Sequence, residues 1–352
     1  MNFKIAVLPG DGIGPEIIEQ AVRVINSIGK KFSHTFTFKY GLIGAIAIDM
    51  TGSPLPAETL DICKNSDAVL FGAIGDPKYD NDPSAKVRPE QGLLAIRKEL
   101  GLYANVRPIY TFPSLSGKSP LKKEVVNGAD IIIVRELTGG IYFGKPQGRS
   151  EDGKTAYDTC VYSTFEVERV VRLACEYAAR RSGKVTVIDK ANVLATSRLW
   201  RETAMVTARD FKEIKIDFMY VDNAAMQLIL NPSRFDVIVT ENMFGDILSD
   251  EASVITGSLG LLPSASIGLS TSLFEPIHGS YPQAAGKNIA NPVGTILSAA
   301  LMFEHAFRLE KEAAAIRKAV ELSIENNFVT EDIDRSDPKS TSETGRWIAD
   351  NI

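Results

Sequence analysis

Short apolar runs alternate along the chain with longer amphipathic stretches. Residues 4–8 and 68–71 form apolar runs that predict strands, whereas residues 15–28 and 91–100 predict helices. Further strands are predicted by the apolar runs at residues 131–135, 185–189, 218–221 and 237–240, each followed closely by polar or charged residues. This alternation is typical of an α/β protein with a largely parallel sheet, in which sites usually form at the strand ends.

One segment, residues 137–162, interrupts this rhythm. It is rich in glycine and aromatic residues, which predicts a hairpin-like arm rather than a strand-helix unit. Arms of this kind often reach toward a partner subunit. The sequence contains no internal repeat and no long Pro/Gly/Ser linker, so we expect any domains to be joined by short hinges.

Composition narrows the class of protein. The chain has 352 residues, 44% of them hydrophobic, which is enough for two domains with a sizeable core. Its net charge of -5 provides no basic field for nucleic acid. The N-terminal apolar run is too short for a signal peptide, no run is long enough to span a membrane, and the 3 cysteines lack metal-binding or disulfide spacing. We expect a cytoplasmic protein without nucleic-acid or membrane partners.

The first motif is the glycine sequence Gly10-Asp11-Gly12-Ile13-Gly14, between a predicted strand and a helix that is expected to start at Pro15. Its spacing is G-x-G-x-G, and no acidic residue closes the second strand, around residues 36–40, where a ribose-binding carboxylate belongs. The motif alone is therefore weak support for a dinucleotide site. A tight turn that needs glycines with positive φ explains it equally well.

The second motif, Asn-Met-Phe-Gly-Asp-Ile-Leu-Ser-Asp, places Asp246 and Asp250 four residues apart after a buried strand, on one face of a helix. Two like charges at this spacing repel, so a divalent cation such as Mg²⁺ or Mn²⁺ between them would explain the pair. Asp222, which is expected to end the strand at residues 218–221, is a third candidate ligand. The alternative is that these acids only stabilise helix N-termini.

Cationic and acid-base residues occupy suggestive positions. Arg97, Arg107 and Arg135 could together orient a small dicarboxylate, since guanidinium groups hold carboxylates by paired hydrogen bonds, although each could instead form an ordinary ion pair. Lys190 closes a predicted strand, and Tyr142 lies in the glycine-rich arm. Lysine near a metal can take a proton from an alcohol and tyrosine can act as an acid, but both could be structural. These residues indicate a metal, an anionic substrate and acid-base groups without naming a reaction.

Long segments of the chain are recognisable. They read RPEQGLLAIRKELGLYANVRP, VRELTGGIYFGKPQG, DKANVLATSRLW, FDVIVTENMFGDILSDEASVITGSLGLLPSAS and FEPIHGSYPQAAGKNIANP. In them the chain resembles the isocitrate/isopropylmalate dehydrogenase family of β-decarboxylating dehydrogenases, and within it the isopropylmalate branch, over nearly its whole length. The resemblance implies a two-lobed α/β fold with a large mixed, mostly parallel sheet, which is not a Rossmann fold.

The resemblance also implies the domains and the assembly. A discontinuous cofactor-side domain would comprise residues 1–102 plus 257–352. Residues 103–256 would form the dimerisation and metal/substrate domain, with the arm near 137–162. The homodimer would share its active sites, because each site takes Lys190, Asn192, Val193 and Asp222 from the neighbouring subunit.

The implied reaction is oxidation of (2R,3S)-3-isopropylmalate by NAD⁺ with decarboxylation to 4-methyl-2-oxopentanoate, in leucine biosynthesis. Sister enzymes acting on D-malate, tartrate or homoisocitrate remain alternatives, as does a catalytically silent binding protein. Glu90, Leu93 and Leu94 match the isopropylmalate branch, with Leu93 against the branched alkyl group. Burying the third carboxylate of isocitrate against Leu93 would be costly, so isocitrate is disfavoured.

Roles are carried over by position. The implied substrate-binding residues are Glu90, Leu93, Leu94, Arg97, Arg107, Arg135, Asn192, Val193 and Asp222, and the implied ligands of Mg²⁺ or Mn²⁺ are Asp222, Asp246 and Asp250. Lys190, poised by Asp222, would remove the hydroxyl proton as hydride leaves. Tyr142 would protonate the carbon that loses carbon dioxide.

The cofactor is expected to bind mainly in the loop at residues 275–291, which would wrap the adenosine. The implied cofactor-binding residues are Ile13, Gly75, Glu275, His278, Gly279, Ser280, Gln283 and Asn291. Gln283 departs from the aspartate that most NAD-using members carry, so the carboxylate that repels a 2′-phosphate is missing. Because the Lys-Tyr pair of NADP users is also missing, and glutamine can hydrogen-bond a ribose hydroxyl, NAD is expected.

Overall fold

A computed structural model describes residues 1–81 and 85–352. Its strands are β1 Asn2–Gly10, β2 Thr35–Tyr40, β3 Ala68–Ala73, β4 Ala104–Tyr110, β5 Asp130–Glu136, β6 Gln147–Arg149, β7 Ala156–Asp158, β8 Lys184–Asp189, β9 Lys215–Tyr220, β10 Val237–Thr240, β11 Pro263–Ile267 and β12 Leu273–Pro276. Its α-helices are α1 Gly14–Phe32, α2 Ala45–Thr51, α3 Ala57–Lys64, α4 Pro77–Asp80, α5 Glu90–Glu99, α6 Lys123–Val126, α7 Thr164–Ala179, α8 Ala195–Thr207, α9 Val221–Leu230, α10 Asn242–Ser253, α11 Val293–His305, α12 Glu310–Glu325 and α13 Thr341–Asp350. Short 3₁₀ helices lie at Pro113–Leu115, Ala208–Asp210, Pro232–Arg234, Val254–Thr256, Leu259–Leu261 and Pro282–Ala284.

The chain divides into two compact units. The first comprises Met1–Leu102 with Ser258–Ile352, and the second comprises Tyr103–Gly257. These boundaries lie within one residue of those that the family resemblance implies, since only Gly257 changes sides. The roles expected of the two units, cofactor binding and dimerisation, stay predictions.

The first unit contains five neighbouring strands in the order β2-β1-β3-β12-β11. The pairings of β1 with β2 and β3, and of β3 with β12, are parallel, whereas β11 and β12 are antiparallel. This order differs from that of a Rossmann sheet. The buried helix α11 packs against β11, β12, α1 and α12. No helix in the described part of the chain is both long and apolar enough to cross a membrane.

The second unit contains five strands in the order β4-β5-β10-β8-β9. The pair β4 and β5 is antiparallel, while β5, β10, β8 and β9 run parallel to their neighbours. Parallel strands end at the same edge of a sheet. The residues that follow β5, β10, β8 and β9 therefore gather at one edge.

The predicted elements are present, although several of their boundaries differ by one or more residues. The strand expected at residues 218–221 ends at Tyr220, because Val221 already begins α9. Asp222 is thus the second residue of a helix and does not end a strand. The reason is visible in the burial of Ala224 and Leu228, whose spacing of four suits a helix, and an acid in the first turn is stabilised by the helix dipole. Helix α1 likewise begins one residue before Pro15.

The arm at residues 137–162 contains the predicted hairpin, because β6 and β7 pair antiparallel. Directly after the arm, Ser163 caps α7: its hydroxyl accepts from Glu166 N while the Glu166 side chain accepts from Ser163 N. This reciprocal capping marks where the irregular segment ends and the helix begins.

Candidate active site

The glycine motif of the first unit forms a tight turn. Gly10 and Gly12 have φ of +71° and +58°, and a Cβ on Gly12 would lie 2.0 Å from Ser280 O. Ile13 N donates a hydrogen bond to the same carbonyl at 2.9 Å. The glycines are therefore required by backbone geometry and by close approach. Their turn packs against the loop expected to hold the cofactor.

Asp11, between these glycines, was not predicted to have a role. Its buried carboxylate accepts hydrogen bonds from Ala45 N at 2.9 Å, Ile46 N at 3.0 Å and Gly75 N at 2.9 Å. It thereby ties the first turn of α2 and the Gly75 loop to the glycine turn. Only its position inside the glycine motif could have indicated this.

The expected cofactor loop contains an unsatisfied buried nitrogen. His278 Nδ1 lies 3.0 Å from Gly279 O and donates to it, while Nε2 is buried and has no hydrogen-bond partner among the described residues. Burial lowers the pKa of His278, so the ring is neutral at pH 7 and Nε2 is an acceptor. A buried acceptor without a donor is costly unless a ligand supplies one.

Two other residues of this loop, Gln283 and Asn291, differ in their exposure and hydrogen bonding. Gln283 is exposed, whereas Asn291 is buried with both ends of its amide bonded. Asn291 Nδ2 donates to Asp332 Oδ2 at 3.0 Å, and its Oδ1 accepts from Val293 N at 3.0 Å. Asn291 is therefore held rigidly, and Gln283 is available to a ligand.

Helix α5 presents its predicted substrate residues on one face. Glu90, Leu93, Leu94 and Arg97 follow the spacing of a helical stripe, opposite the face that buries Gly92 and Ile96. Leu94 is 42% exposed, so this stripe offers apolar surface to a ligand. Arg97 Nη2 lies 3.5 Å from Glu275 Oε1, and its buried Nε has no partner among the described residues.

In the second unit, Arg107 and Arg135 lie beside the two aspartates of α10. Arg107 Nη1 donates to Asp250 Oδ1 at 3.0 Å and to Ser249 Oγ at 2.6 Å. Arg135 forms an ion pair with Asp246 through Nη1. The two arginines already offset the repulsion between the aspartates, so the like-charged pair does not by itself require a cation.

Tyr142 joins this cluster. Its hydroxyl donates to Asp246 Oδ2 at 3.0 Å. Burial raises the pKa of Tyr142, and the nearby Asp246 charge raises it further. The phenol therefore stays protonated at neutral pH and can act as an acid.

Lys190 and Asp222 form a second cluster in the same unit. Lys190 Nζ donates to Asp222 Oδ1 at 2.7 Å, and this hydrogen bond lowers the pKa of Asp222. Asn192 and Val193, which follow in the loop after β8, are exposed. Behind them, buried Asp189 accepts from Arg201 Nε at 2.8 Å, which holds the end of β8.

The aspartates suit a hard divalent cation, although one chain does not assemble all three. Asp246 and Asp250 have side chains that are 36% and 67% exposed, and carboxylate oxygens are the ligands that Mg²⁺ and Mn²⁺ prefer. Among the described residues, no group of three or more His, Cys, Asp or Glu side chains could hold a metal. Asp222 instead pairs with Lys190.

Buried polar residues behind the cluster were also missed. Glu241 caps α10, with Oε1 accepting from Phe244 N at 2.9 Å and Oε2 accepting from the Tyr162 hydroxyl at 3.0 Å. Burial raises the pKa of both Glu241 and Glu136. Their sequence neighbours Asn242 and Arg135 meet in this region, which no sequence spacing could have indicated.

Comparisons with known proteins show the family to which the chain is similar. Residues 4–348 match the family model described as isocitrate/isopropylmalate dehydrogenase. The chain is 56% identical to a 3-isopropylmalate dehydrogenase of Bacteroides fragilis, covering 100% of this chain and 99% of that protein. It is 55% identical to one of Bacillus subtilis strain 168, covering 97% and 95%.

Solved structures are similar as well. An isocitrate dehydrogenase from Methylococcus capsulatus has a TM-score of 0.88 at 35% identity, covering 99% of both chains. A β-decarboxylating dehydrogenase from Thermococcus kodakarensis has a TM-score of 0.81 at 36% identity, covering 99% of this chain and 96% of that one. The predicted α/β fold with a mixed, mostly parallel sheet is confirmed.

Proposed function

The chain belongs to the isocitrate/isopropylmalate dehydrogenase family, and from this premise we propose that it oxidises (2R,3S)-3-isopropylmalate with NAD⁺ and decarboxylates it to 4-methyl-2-oxopentanoate. This is a step of leucine biosynthesis. The observation that carries the proposal is the cluster at the strand ends of the second unit. There Arg107, Arg135 and Tyr142 surround Asp246 and Asp250, as a site for a carboxylate, a cation and a proton donor requires.

Substrate binding is assigned to the arginines and to α5. Arg97, Arg107 and Arg135 bind the two carboxylates, which is supported by the buried unpartnered Nε of Arg97. Leu93 and Leu94 cover the isopropyl group, whose burial contributes about 2 kcal/mol. The third carboxylate of isocitrate would lose water against these leucines without gaining a partner, which favours isopropylmalate.

A divalent cation, Mg²⁺ or Mn²⁺, is held by Asp246 and Asp250 together with Asp222 of a second copy of the chain. Bound there, the cation supplies a positive charge that favours loss of the proton from the substrate hydroxyl. The amine of Lys190 from that same second copy accepts the proton, and Asp222 of that copy holds the amine in place through their 2.7 Å hydrogen bond. The Tyr142 hydroxyl then donates a proton to the carbon from which carbon dioxide leaves.

A homodimer with shared active sites is supported by an apolar surface on the second unit. Met226 and Leu230 on α9 are 55% and 67% exposed, and Ile247 on the adjacent α10 is 60% exposed. Apolar residues gathered on neighbouring helices favour burial against a second copy. The three cysteines are free thiols, which suits the reducing cytoplasm that we propose as its location.

A spectrophotometric assay tests the function. With Mn²⁺ present, we expect reduction of NAD⁺ with 3-isopropylmalate, at a kcat/KM at least about 10-fold above that with D-malate, tartrate, homoisocitrate or isocitrate, because only isopropylmalate fills the leucine surface. A higher kcat/KM for another acid would assign the chain to a sister activity. Lack of NAD⁺ reduction with all of them would indicate a binding protein.

The cofactor choice gives a prediction at Gln283. NAD is favoured over NADP, and Gln283→Asp is expected to raise the NAD/NADP ratio of kcat/KM about 10-fold, because a carboxylate there repels the 2′-phosphate. The measurement is initial rate against each dinucleotide, with Asn351→Asp, which adds the same charge on the exposed end of α13, as the control. An unchanged ratio in Gln283→Asp would place the ribose elsewhere.

A pH profile tests Tyr142. Because the pKa of Tyr142 is raised above the ordinary tyrosine value of about 10, the phenol stays protonated up to that pH. We therefore expect kcat to fall only at pH above about 10. We expect Tyr142→Phe to lower kcat about 100-fold or more and to remove this alkaline limb, while a single turnover of NADH formation persists. Tyr157→Phe, at an exposed tyrosine of the same arm, is the control. An alkaline limb that survives in Tyr142→Phe belongs to another group.

A further inference from the structure

Asn242, the first residue of α10, is 1% exposed, and its side-chain amide and its main-chain N are all hydrogen-bonded. Its Oδ1 accepts from Arg135 Nε at 3.1 Å and from Arg135 Nη2 at 2.9 Å. Its Nδ2 donates to Gly139 O at 3.2 Å, and its main-chain N donates to the Tyr162 hydroxyl at 2.9 Å. Asn242 thus connects β5, the start of the arm and α10.

The two hydrogen bonds from Arg135 constrain its guanidinium group. Two donors on one edge of a planar group, both directed at one oxygen, define the plane of that group and the direction of its opposite edge. With Nε and Nη2 held by Asn242, Nη1 is the nitrogen that meets Asp246. Orientation matters here because paired recognition of a carboxylate depends on geometry as well as on charge.

The surroundings make Asn242 itself rigid. A Cβ on Gly140, whose φ is +79°, would lie 2.4 Å from the Tyr162 hydroxyl, so the arm approaches that hydroxyl closely. The same hydroxyl donates to Glu241 at 3.0 Å. Asn242 is therefore fixed by its own backbone and by Gly139, and the orientation it imposes on Arg135 does not depend on bound substrate.

We propose that Asn242 is a positioning residue that presents Arg135 to a carboxylate of the 2-hydroxy diacid without touching the substrate. The proposal rests on the proposed function in one respect, because it takes Arg135 as a substrate-binding residue. It differs from a purely structural role in what it predicts. A structural hydrogen bond would affect stability, whereas a positioning residue affects substrate binding through Arg135 and through no other group.

A double-mutant cycle on the full-length protein tests this. Asn242→Ala is expected to raise the KM for the acid about 10- to 100-fold, as expected for losing hydrogen bonds that orient a charged group, while kcat and the KM for the dinucleotide change less than about 3-fold. In an Arg135→Met background, the same substitution should raise the acid KM no further. Equal effects in both backgrounds, or an unchanged KM in Asn242→Ala, would overturn the proposal.

Two further variants separate positioning from stability. Thr240→Val removes a buried hydroxyl that donates to Ile188 O at 2.8 Å, and it leaves the hydrogen bonds of Asn242 in place, so it should lower the Tm while the acid KM stays within about 2-fold. A rise in KM as large as that of Asn242→Ala would assign the effect to the fold. If Asn242→Ala does not fold, Asn242→Ser replaces it in the cycle. Its hydroxyl suits a helix start but lies one bond nearer the backbone than the amide oxygen, so it does not make both hydrogen bonds to Arg135.

The substrate in these assays is whichever 2-hydroxy diacid the wild-type protein oxidises. If 3-isopropylmalate is not turned over but D-malate is, the proposed function fails, and the cycle still tests Asn242 because both acids carry the carboxylates that Arg135 would meet. If the wild type binds neither acid, as measured by calorimetry with Mn²⁺ present, Arg135 has no carboxylate to receive and the positioning role is refuted.

Discussion

Replacement of Lys190 by methionine is expected to lower kcat by about 10²- to 10⁴-fold, the range that a general base contributes. Methionine keeps a long unbranched side chain but cannot accept the hydroxyl proton. Binding of Mn²⁺ and of the acid should change little, because the lysine acts mainly in the transition state. The measurements are NADH formation for kcat, and calorimetry for the acid and for Mn²⁺.

Lys212→Met is the matched control. Lys212 is exposed and belongs to the same unit, so this variant removes one lysine charge without altering the Lys190–Asp222 pair. Its kcat should stay within about 2-fold of wild type, as is usual for surface substitutions. If Lys190→Met turns over as fast as Lys212→Met, another group takes the proton and the assignment of the base is refuted.

Replacement of Asp246 by asparagine removes a direct carboxylate ligand of the proposed cation site. Loss of an outer-shell partner alone costs about 10- to 100-fold in metal affinity, so we expect Mn²⁺ binding to weaken by more than that. The change preserves size and still allows a hydrogen bond from Tyr142. It also removes the ion pair with Arg135. Mn²⁺ binding is measured by electron paramagnetic resonance of the free ion, and kcat/KM should fall by at least about 100-fold.

Glu251→Gln serves as the control for Asp246→Asn, since it removes a carboxylate from the same helix. Glu251 follows Asp250 and is rotated from it by about 100° around the helix axis, away from the face shared by the two aspartates. The Mn²⁺ affinity of the Glu251→Gln variant should equal that of the wild type. Equal affinities in Asp246→Asn and Glu251→Gln would show that the cation, if it binds, uses other ligands.

The candidate site was partly predictable because its main residues occupy strand and helix positions that have sequence signatures. Asp246 and Asp250 share a helix face by their spacing alone, and Arg135 stands at the end of an apolar run. Asp222 was predicted at the end of a strand but lies in α9, because the change from strand to helix at Val221 depends on burial that no short window reveals.

Residues that hold other residues in place by hydrogen bonds were not predictable from the sequence. Asn242 and Asp11 are polar residues beside recognisable motifs, and their partners lie far away in the chain: 107 residues separate Asn242 from Arg135, and 64 separate Asp11 from Gly75. Such hydrogen bonds arise only when strands and loops are brought together. Each of these hydrogen bonds satisfies a buried polar group. Burial therefore decides which of the many asparagines and aspartates hold other residues in place, and burial cannot be read from the sequence.

By itself, the sequence determined the succession of strands and helices, the α/β class and the family, because apolar periodicity and long distinctive segments are local properties of the chain. Tertiary structure alone decided the contacts: Tyr142 against Asp246, Lys190 against Asp222, and Arg135 against Asn242. Their cause is the parallel pairing of β5, β10, β8 and β9, which brings the ends of distant strands to one edge and fixes which side chains meet there.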